Sequence, residues 1–396
     1  MLAHNYYRSC APSGEDAVFE GERRLLERNG VHVIPFIRRN DDIADLAGLP
    51  RVRLAIDTSW SASSYRSVRD LIGRERPDVA HFHNTFPQIS PSAYAACRDR
   101  GVPVVQTLHN YRLICAGALL QREGQPCQEC VNGSQIFGLL PGLRHRCYRG
   151  SLAATGALTL MLAANRLSGA YVHNVDRYIA LTRFAASRLA AGGLPADRIV
   201  VKPNCLEETP ERGGGSGGFA LYVGRLSQEK GVRTLLNAWR HLGSRRLLIV
   251  GQGPLHEELR ETARTAGLAV EFLGHRPRAE VLALTRQAMF LIVPSEWFEG
   301  FPMVVVEAFA CGTPVIASKI GSLDEIVADG LTGAKFRPAD PEELAEAVRR
   351  LSADPDGLAR MRIAARATFD REYRSERNLS QLLAIYRDAM SGAQRV

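Results

Sequence analysis

The sequence predicts an α/β fold of two doubly wound, Rossmann-like domains facing a central cleft. Three features predict it. Short β-branched runs alternate with helical patterns of about ten to fifteen residues, as parallel sheets with crossover helices require. A glycine-rich seam divides this alternation in two. Beyond the seam, loops at the strand ends carry glycines and charges, where open α/β sheets bind ligands.

The runs are, in order, "VHVIPFI", "DVAHFH", "PVVQTLH", "RYIALT", "RIVVKP", "FALYVG", "RLLIVG", "AVEFLG", "MFLIVPS" and "TPVIAS". Ser13 is placed to cap the first helix, with Asp16 three residues on and Asn29-Gly30 to close it. Ahead of that helix only Leu2 and Ala3 precede the polar His4. This predicts a truncated first strand, or translation that starts upstream of Met1. The seam, "NCLEETPERGGGSGG" at residues 204–218, ends in five glycines and one serine and reads as a flexible linker. It sets a domain boundary between residues 1–205 and 206–373.

The 396 residues suffice for two or three cores. The formal charge of +8 is spread along the chain, without the aromatic-interleaved basic stripe of a nucleic-acid binder. The N-terminus lacks the apolar stretch of a signal peptide, and no run reaches the roughly 18 apolar residues of a spanning helix. The nearest, "SLAATGALTLMLAANRLSGA", is broken by Gly156, Asn165, Arg166 and Gly169 and reads as a buried amphipathic helix. The expected location is cytoplasmic, with reduced thiols.

Cys115, Cys127, Cys130 and Cys147 fall in one loop-rich stretch with spacing C-x11-C-x2-C-x16-C. A C-x2-C turn plus two further thiolates fits a structural zinc site, while Cys115, at an apolar strand end, equally fits a buried free thiol. Both readings stand.

The strand ends of the second half carry the chemistry. "LYVG" leads to Arg225 and Lys230, "LLIVG" to Gly251 and Gly253, and "FLIVPS" to Glu299, Gly300 and Pro302. Two cations, glycines that let the backbone approach a ligand and a helix N-terminus opened by Pro302 make an anion site. A diphosphate suits it. Glu307 is the single charge in the eighteen residues Phe301–Ser318. Burying it unpaired would cost several kcal/mol, so it must meet a base or a polar ligand; a ribose diol is a good match.

"EGFPMVVVE" resembles the E-x7-E motif of retaining glycosyltransferases with the GT-B fold. "GRLSQEKG", "VGQGP" and "EAFACGTPVIAS" with "GSLDEIV" resemble the donor domain of family 4. "HNYY", "PDVAHFHNTFPQISP" and "PVVQTLHNYRLIC" resemble the first half of a family 4 subgroup. The resemblance implies a nucleotide-diphosphate sugar donor held by the second domain. The implied acceptor is a glycan or a lipid-linked sugar, in cell-surface or exopolysaccharide synthesis, at a peripheral membrane site on the inner face. It implies that the last helix, about residues 374–396, crosses back to the first domain.

The implied roles are as follows. Arg225 and Lys230 neutralise the leaving diphosphate. Glu299 touches the donor sugar, near the amides of Gly300 and Phe301. Glu307 holds the ribose. His109 reaches in from the acceptor side, and Gly14 lies in the loop that closes over the donor. Front-face retention needs neither a protein base nor a metal at the diphosphate, and no D-x-D motif stands at a strand end. Two departures from the family pattern are Ser13-Gly14 for a glycine pair and Pro302 for a glycine. Two other readings are a non-catalytic GT-B partner subunit and a GT-B nucleotide-sugar epimerase. The presence of His109, Arg225, Lys230 and Glu299 argues against the first, and turnover of donor without acceptor would identify the second.

Overall fold

The computed structural model describes residues 1–7, 14–43, 45–131 and 137–393. They form two compact units. Unit 1 comprises Met1–Leu120, Cys127–Glu207 and Glu376–Val396, and unit 2 comprises Glu208–Ser375 with the short segment Gln121–Pro126.

The strands are β1 (Leu2–Tyr6), β2 (Pro35–Arg39), β3 (Ala80–Phe82), β4 (Val104–Leu108), the hairpin β5 (Gln121–Arg122) and β6 (Gln125–Pro126), β7 (Arg177–Ala180) and β8 (Ile199–Val201). Unit 2 continues with β9 (Phe219–Val223), β10 (Arg246–Val250), β11 (Val270–Gly274), β12 (Phe290–Val293), β13 (Val315–Ser318) and β14 (Gly333–Phe336). Unit 1 orders its parallel sheet β2-β1-β3-β4-β7-β8, and unit 2 orders its own β11-β10-β9-β12-β13-β14. The winding reverses between β1 and β3 in the first sheet and between β9 and β12 in the second. Those are the topological switch points, where the loops leaving two neighbouring strands diverge and open a crevice.

The truncated first strand is corrected. β1 is an interior strand of five buried residues, paired with both β2 and β3. His4 and Asn5 do not interrupt it, because each finds a partner. His4 Nε2 lies 2.7 Å from Asp16 Oδ1. Asn5 Nδ2 donates to the Phe86 carbonyl and to Asn40 Oδ1 at 2.9 and 2.8 Å. Ser13, the expected helix cap, lies outside the described residues; the helix itself runs Gly14–Arg28.

The flexible linker is also corrected. Gly213, Gly215 and Gly217 donate backbone hydrogen bonds to the carbonyls of Cys311, Arg286 and Gln287 at 2.9, 3.1 and 2.9 Å. A Cβ at Gly213 would stand 2.1 Å from the Arg286 oxygen. The glycines let the chain lie flat on the end of the helix Arg278–Gln287 and satisfy carbonyls that the helix leaves open.

Apolar packing explains the rest. Trp239, Phe290, Phe336 and Leu235 centre the core of unit 2. In unit 1, Leu382, Ile385, Tyr386 and Ala389 of the helix Ser375–Ala393 cluster with Leu26, Val105 and Ile179. The helix Leu152–Leu167 buries Leu158, Met161 and Leu162 but leaves Leu160 and Leu167 exposed. Among the described residues, no helix is long and apolar enough to cross a membrane.

Candidate functional site

In unit 2 the polar groups gather beyond β9 and β12, at the switch point. After β9 the chain makes a tight turn, Gln228–Lys230, closed by Gly231 at φ 67°. A Cβ on Gly231 would stand 1.8 Å from the Pro294 oxygen, so only glycine lets this turn rest on the end of β12. The contact brings Lys230 Nζ to 2.6 Å from Glu299 Oε1. Ser295 Oγ donates to the same oxygen at 2.6 Å, and Lys230 Nζ stands 5.2 Å from the Trp297 ring centroid. Glu299 is buried and Lys230 partly exposed. The two residues assigned to separate tasks are therefore a single ion pair.

Arg225 is exposed at the end of β9; its carbonyl accepts from the Tyr222 hydroxyl at 2.9 Å. Gly251 needs its glycine for a reason other than ligand approach. Its φ is 138°, and a Cβ would stand 1.9 Å from the Gly224 oxygen. Gly253 is likewise held, 2.3 Å from the Leu226 oxygen by the same measure. The pair lets the loop after β10 seat on the loop after β9.

Pro302 is the N-cap of the helix Met303–Ala310, one position before the expected first turn. The Gly300 carbonyl accepts from Ser322 Oγ at 3.2 Å, and the Phe301 ring lies 6.1 Å from that of Tyr373. Glu307 is half-buried, and its base is Arg278, whose Nε donates to Oε1 at 3.0 Å. Burial pushes the Glu307 carboxyl up and Arg278 partly offsets that. Arg278, Ser295 and Trp297 carried no sequence signal that named them as partners.

In unit 1 His109 follows β4 and is half-buried. Gly14 opens the helix Gly14–Arg28 rather than sitting in a loop; the next residue, Glu15, lies 3.5 Å from Asn110 Nδ2. His109 ends a buried polar network. Its Nε2 lies 3.0 Å from His83 Nδ1, and His83 Nε2 lies 3.0 Å from Glu22 Oε1. His81 Nδ1 stands 3.2 Å from the same carboxylate oxygen and 2.7 Å from the Tyr386 hydroxyl. Lys202 Nζ donates to Glu22 Oε2 at 3.2 Å. The only sequence sign was "AHFH", where spacing of two puts His81 and His83 on one face of the sheet.

Burial pushes Glu22 up, but Lys202 and then the histidines outweigh it and hold its carboxyl well below the usual range. Among the described residues, Glu22, His81 and His83 form the one group of three whose ligand atoms lie within 4.8 Å of one another. The Lys202 ammonium already supplies the positive charge that a metal would bring there.

Burial pushes the His83 imidazole from 6.5 down to about 4. Its folded value is thus the lower one. Its contribution is complete above pH 6.5 and is lost as pH falls toward 4, because only the unfolded chain takes up the proton there. The loss is about 3 kcal/mol by pH 4. Amide exchange of β4 against pH should show this fall, and His83→Gln should shrink it.

The four cysteines are neighbours in unit 1. Cys115 Sγ and Cys147 Cβ both border Gly117, and Cys130 Sγ borders Gly142, whose carbonyl accepts from the Cys147 amide at 3.1 Å. Burial, then Cys115, pushes the Cys130 thiol up to about 12. Among the described residues, no three of these sulfurs lie within 4.8 Å of one another.

Two doubly wound parallel α/β units in one chain are the architecture of the GT-B fold. The comparisons with known proteins agree. Residues 214–368 match the family of glycosyl transferases group 1, and residues 13–205 match the glycosyl transferase 4-like domain. Glycogen synthase of Mycobacterium tuberculosis is 35% identical over 98% of this chain and 85% of that protein. A D-inositol 3-phosphate glycosyltransferase of Catenulispora acidiphila is 28% identical over 88% and 79%. Among solved structures, sucrose-phosphate synthase from Thermosynechococcus elongatus superposes with a TM-score of 0.72 at 18% identity, over 99% of both chains. Anabaena HepE in complex with UDP gives 0.66 at 19%, over 97% of this chain and 99% of that one. The protein belongs to the group 1, family 4-like glycosyltransferases.

Proposed function

We propose that this glycosyltransferase moves a sugar from a nucleotide-diphosphate donor with retention at the anomeric carbon. The Lys230–Glu299 pair at the switch point of unit 2 carries the reading. A cation held there by a buried carboxylate is preorganised for charge that develops on a leaving diphosphate. Arg225, exposed beside it, adds a second cation. Glu299 is placed to meet the donor sugar with the Gly300 and Phe301 amides, and Glu307, braced by Arg278, to take the ribose. Gly251 shapes the floor. In unit 1, Gly14 and His109 take the roles that the family resemblance implies. The HepE structures hold UDP, UDP with glucose, or UDP-glucose, which makes a UDP-hexose the first donor to try.

In a front-face transfer the sugar–phosphate bond breaks toward the diphosphate while the acceptor oxygen bonds to the same face. A phosphate oxygen takes the acceptor proton. Side-chain cations do the electrostatic work, so transfer is expected to persist in excess EDTA. The test is product anomeric configuration by NMR with and without EDTA. An inverted product, or strict dependence on added Mg²⁺ or Mn²⁺, would overturn the mechanism.

We further propose a glycan or lipid-linked acceptor reached at a membrane surface. Leu49, Val52 and Ile56 stand 84%, 57% and 66% exposed at i, i+3 and i+7 of the helix Gly48–Asp57. That helix packs on Leu152–Leu167, which exposes Leu160 and Leu167, and Arg144, Arg146 and Arg149 are exposed nearby in sequence. Apolar side chains with basic neighbours suit an anionic leaflet. Flotation with anionic liposomes is expected at low salt and should weaken at high salt. Protein that stays at the bottom of the gradient at low salt would point to a soluble acceptor.

A further inference from the structure

The network beneath His109 has a direction. Glu22 is a carboxylate and can only accept hydrogen bonds. One of its oxygens takes Lys202, and the other faces His83 Nε2 at 3.0 Å and, farther off, His81 Nδ1 at 3.2 Å. His83 Nε2 must therefore carry the hydrogen. Burial keeps this ring neutral at ordinary pH, so its other nitrogen, Nδ1, is a bare acceptor. The group facing that acceptor at 3.0 Å is His109 Nε2, which must then be the donor. Burial, and then the neighbouring histidines, hold His109 neutral as well. Its remaining nitrogen has no hydrogen left.

We propose that the chain Glu22–His83–His109 fixes His109 as the Nε2–H tautomer, so that it presents a bare, hydrogen-bond-accepting Nδ1. The assignment separates two histidines two residues apart, His81 in β3 and His83 just beyond its end. His81 spends its nitrogens on the Tyr386 hydroxyl, 2.7 Å away, and on Thr107 Oγ1, 2.8 Å away, and so ties the helix Ser375–Ala393 to the sheet. His83 spends both of its own on a line from a buried carboxylate to a half-buried ring at the end of β4. Among the described residues, no hydrogen bond ends on His109 Nδ1.

The consequence is chemical selectivity. A bare nitrogen accepts from a hydroxyl and has nothing to donate to a phosphate oxygen. Resting on the glycosyl-transfer reading, the group it takes is a substrate hydroxyl. Glu22 and His83 are then positioning residues that act only through His109. Lys202 keeps Glu22 ionised and so keeps the direction of the chain.

The test starts with the whole wild-type protein carrying [¹⁵N]histidine. Long-range ¹H–¹⁵N spectra at pH 7 should show the His109 ring, assigned by its loss in His109→Gln, as neutral with the hydrogen on Nε2. A hydrogen on Nδ1, or a charged ring, overturns the proposal whatever the enzyme does. His83→Leu removes the acceptor beneath His109 and should mix its tautomers. With UDP-glucose as donor, kcat should fall by about tenfold to a hundredfold with a smaller change in KM. His83→Gln, whose amide can donate to Glu22 and accept from His109, should restore most of both. Unchanged tautomer and unchanged kcat in His83→Leu would defeat the relay. A fully active His109→Gln would instead remove His109 from the transfer reading, while the spectrum still decides the tautomer.

Discussion

Lys230→Ala is expected to lower kcat about a hundredfold to a thousandfold while the fold survives, the typical cost of removing one preorganised charge from a transition state. The position of the side chain is specified twice. Gly231 fixes the turn against β12, and Glu299 fixes the ammonium at 2.6 Å. Such a group need not reorganise when the diphosphate leaves, which is why the loss should fall on turnover rather than on KM alone. Stability should change little. Lys230 is a quarter exposed, so solvent weakens the pair, and Ser295 still serves Glu299 in the variant. Lys230→Arg keeps the charge but brings a planar fork to a site built for a compact ammonium, and should recover activity only in part. Steady-state kinetics with UDP-glucose, beside circular dichroism of both variants, make the check. Turnover of Lys230→Ala at the wild-type rate would remove Lys230 from the chemistry.

Much of this site was legible in the sequence because its signals are local. Strand runs, charges and glycines at strand ends and a lone carboxylate in an apolar helix are read within a few residues. The partners were not legible. Glu299 lies 69 residues from Lys230, and Glu22 lies 180 from Lys202. Nothing local ties either pair; only the order of strands in the sheet brings them together.

Two misreadings have the same origin. Residues 213–218 look flexible because glycine has no side chain, yet they are held because a bare backbone can press against the Arg286 and Gln287 carbonyls. His4 and Asn5 look like the end of a strand because they are polar, yet they lie in its buried middle. Asp16 and Asn40 meet them there, brought in by the helix Gly14–Arg28 and the end of β2. Glu307 was read correctly as needing a base or a polar ligand, but composition could not choose Arg278 from the arginines around it.

Lys202→Met should be the most destabilising single change at the unit 1 network. Lys202 is 2% exposed, and its ammonium is paired with Glu22. Methionine fills similar space without the charge, and leaves the buried Glu22 carboxylate without its cation. Breaking a buried pair from one side typically costs about 3–5 kcal/mol, because the remaining charge keeps its desolvation penalty and loses its compensation. The chain has one escape: a proton taken up by Glu22 or by His83. Either one reverses or blurs the polarity that reaches His109. Removing both charges should be far milder, so Lys202→Met/Glu22→Gln is expected to regain more than half of the loss. The thermal midpoint of the full chain, together with amide exchange of β3 and β4, reads this in unit 1 directly. A Lys202→Met protein as stable as the wild type would show that Glu22 does not depend on Lys202 for its charge.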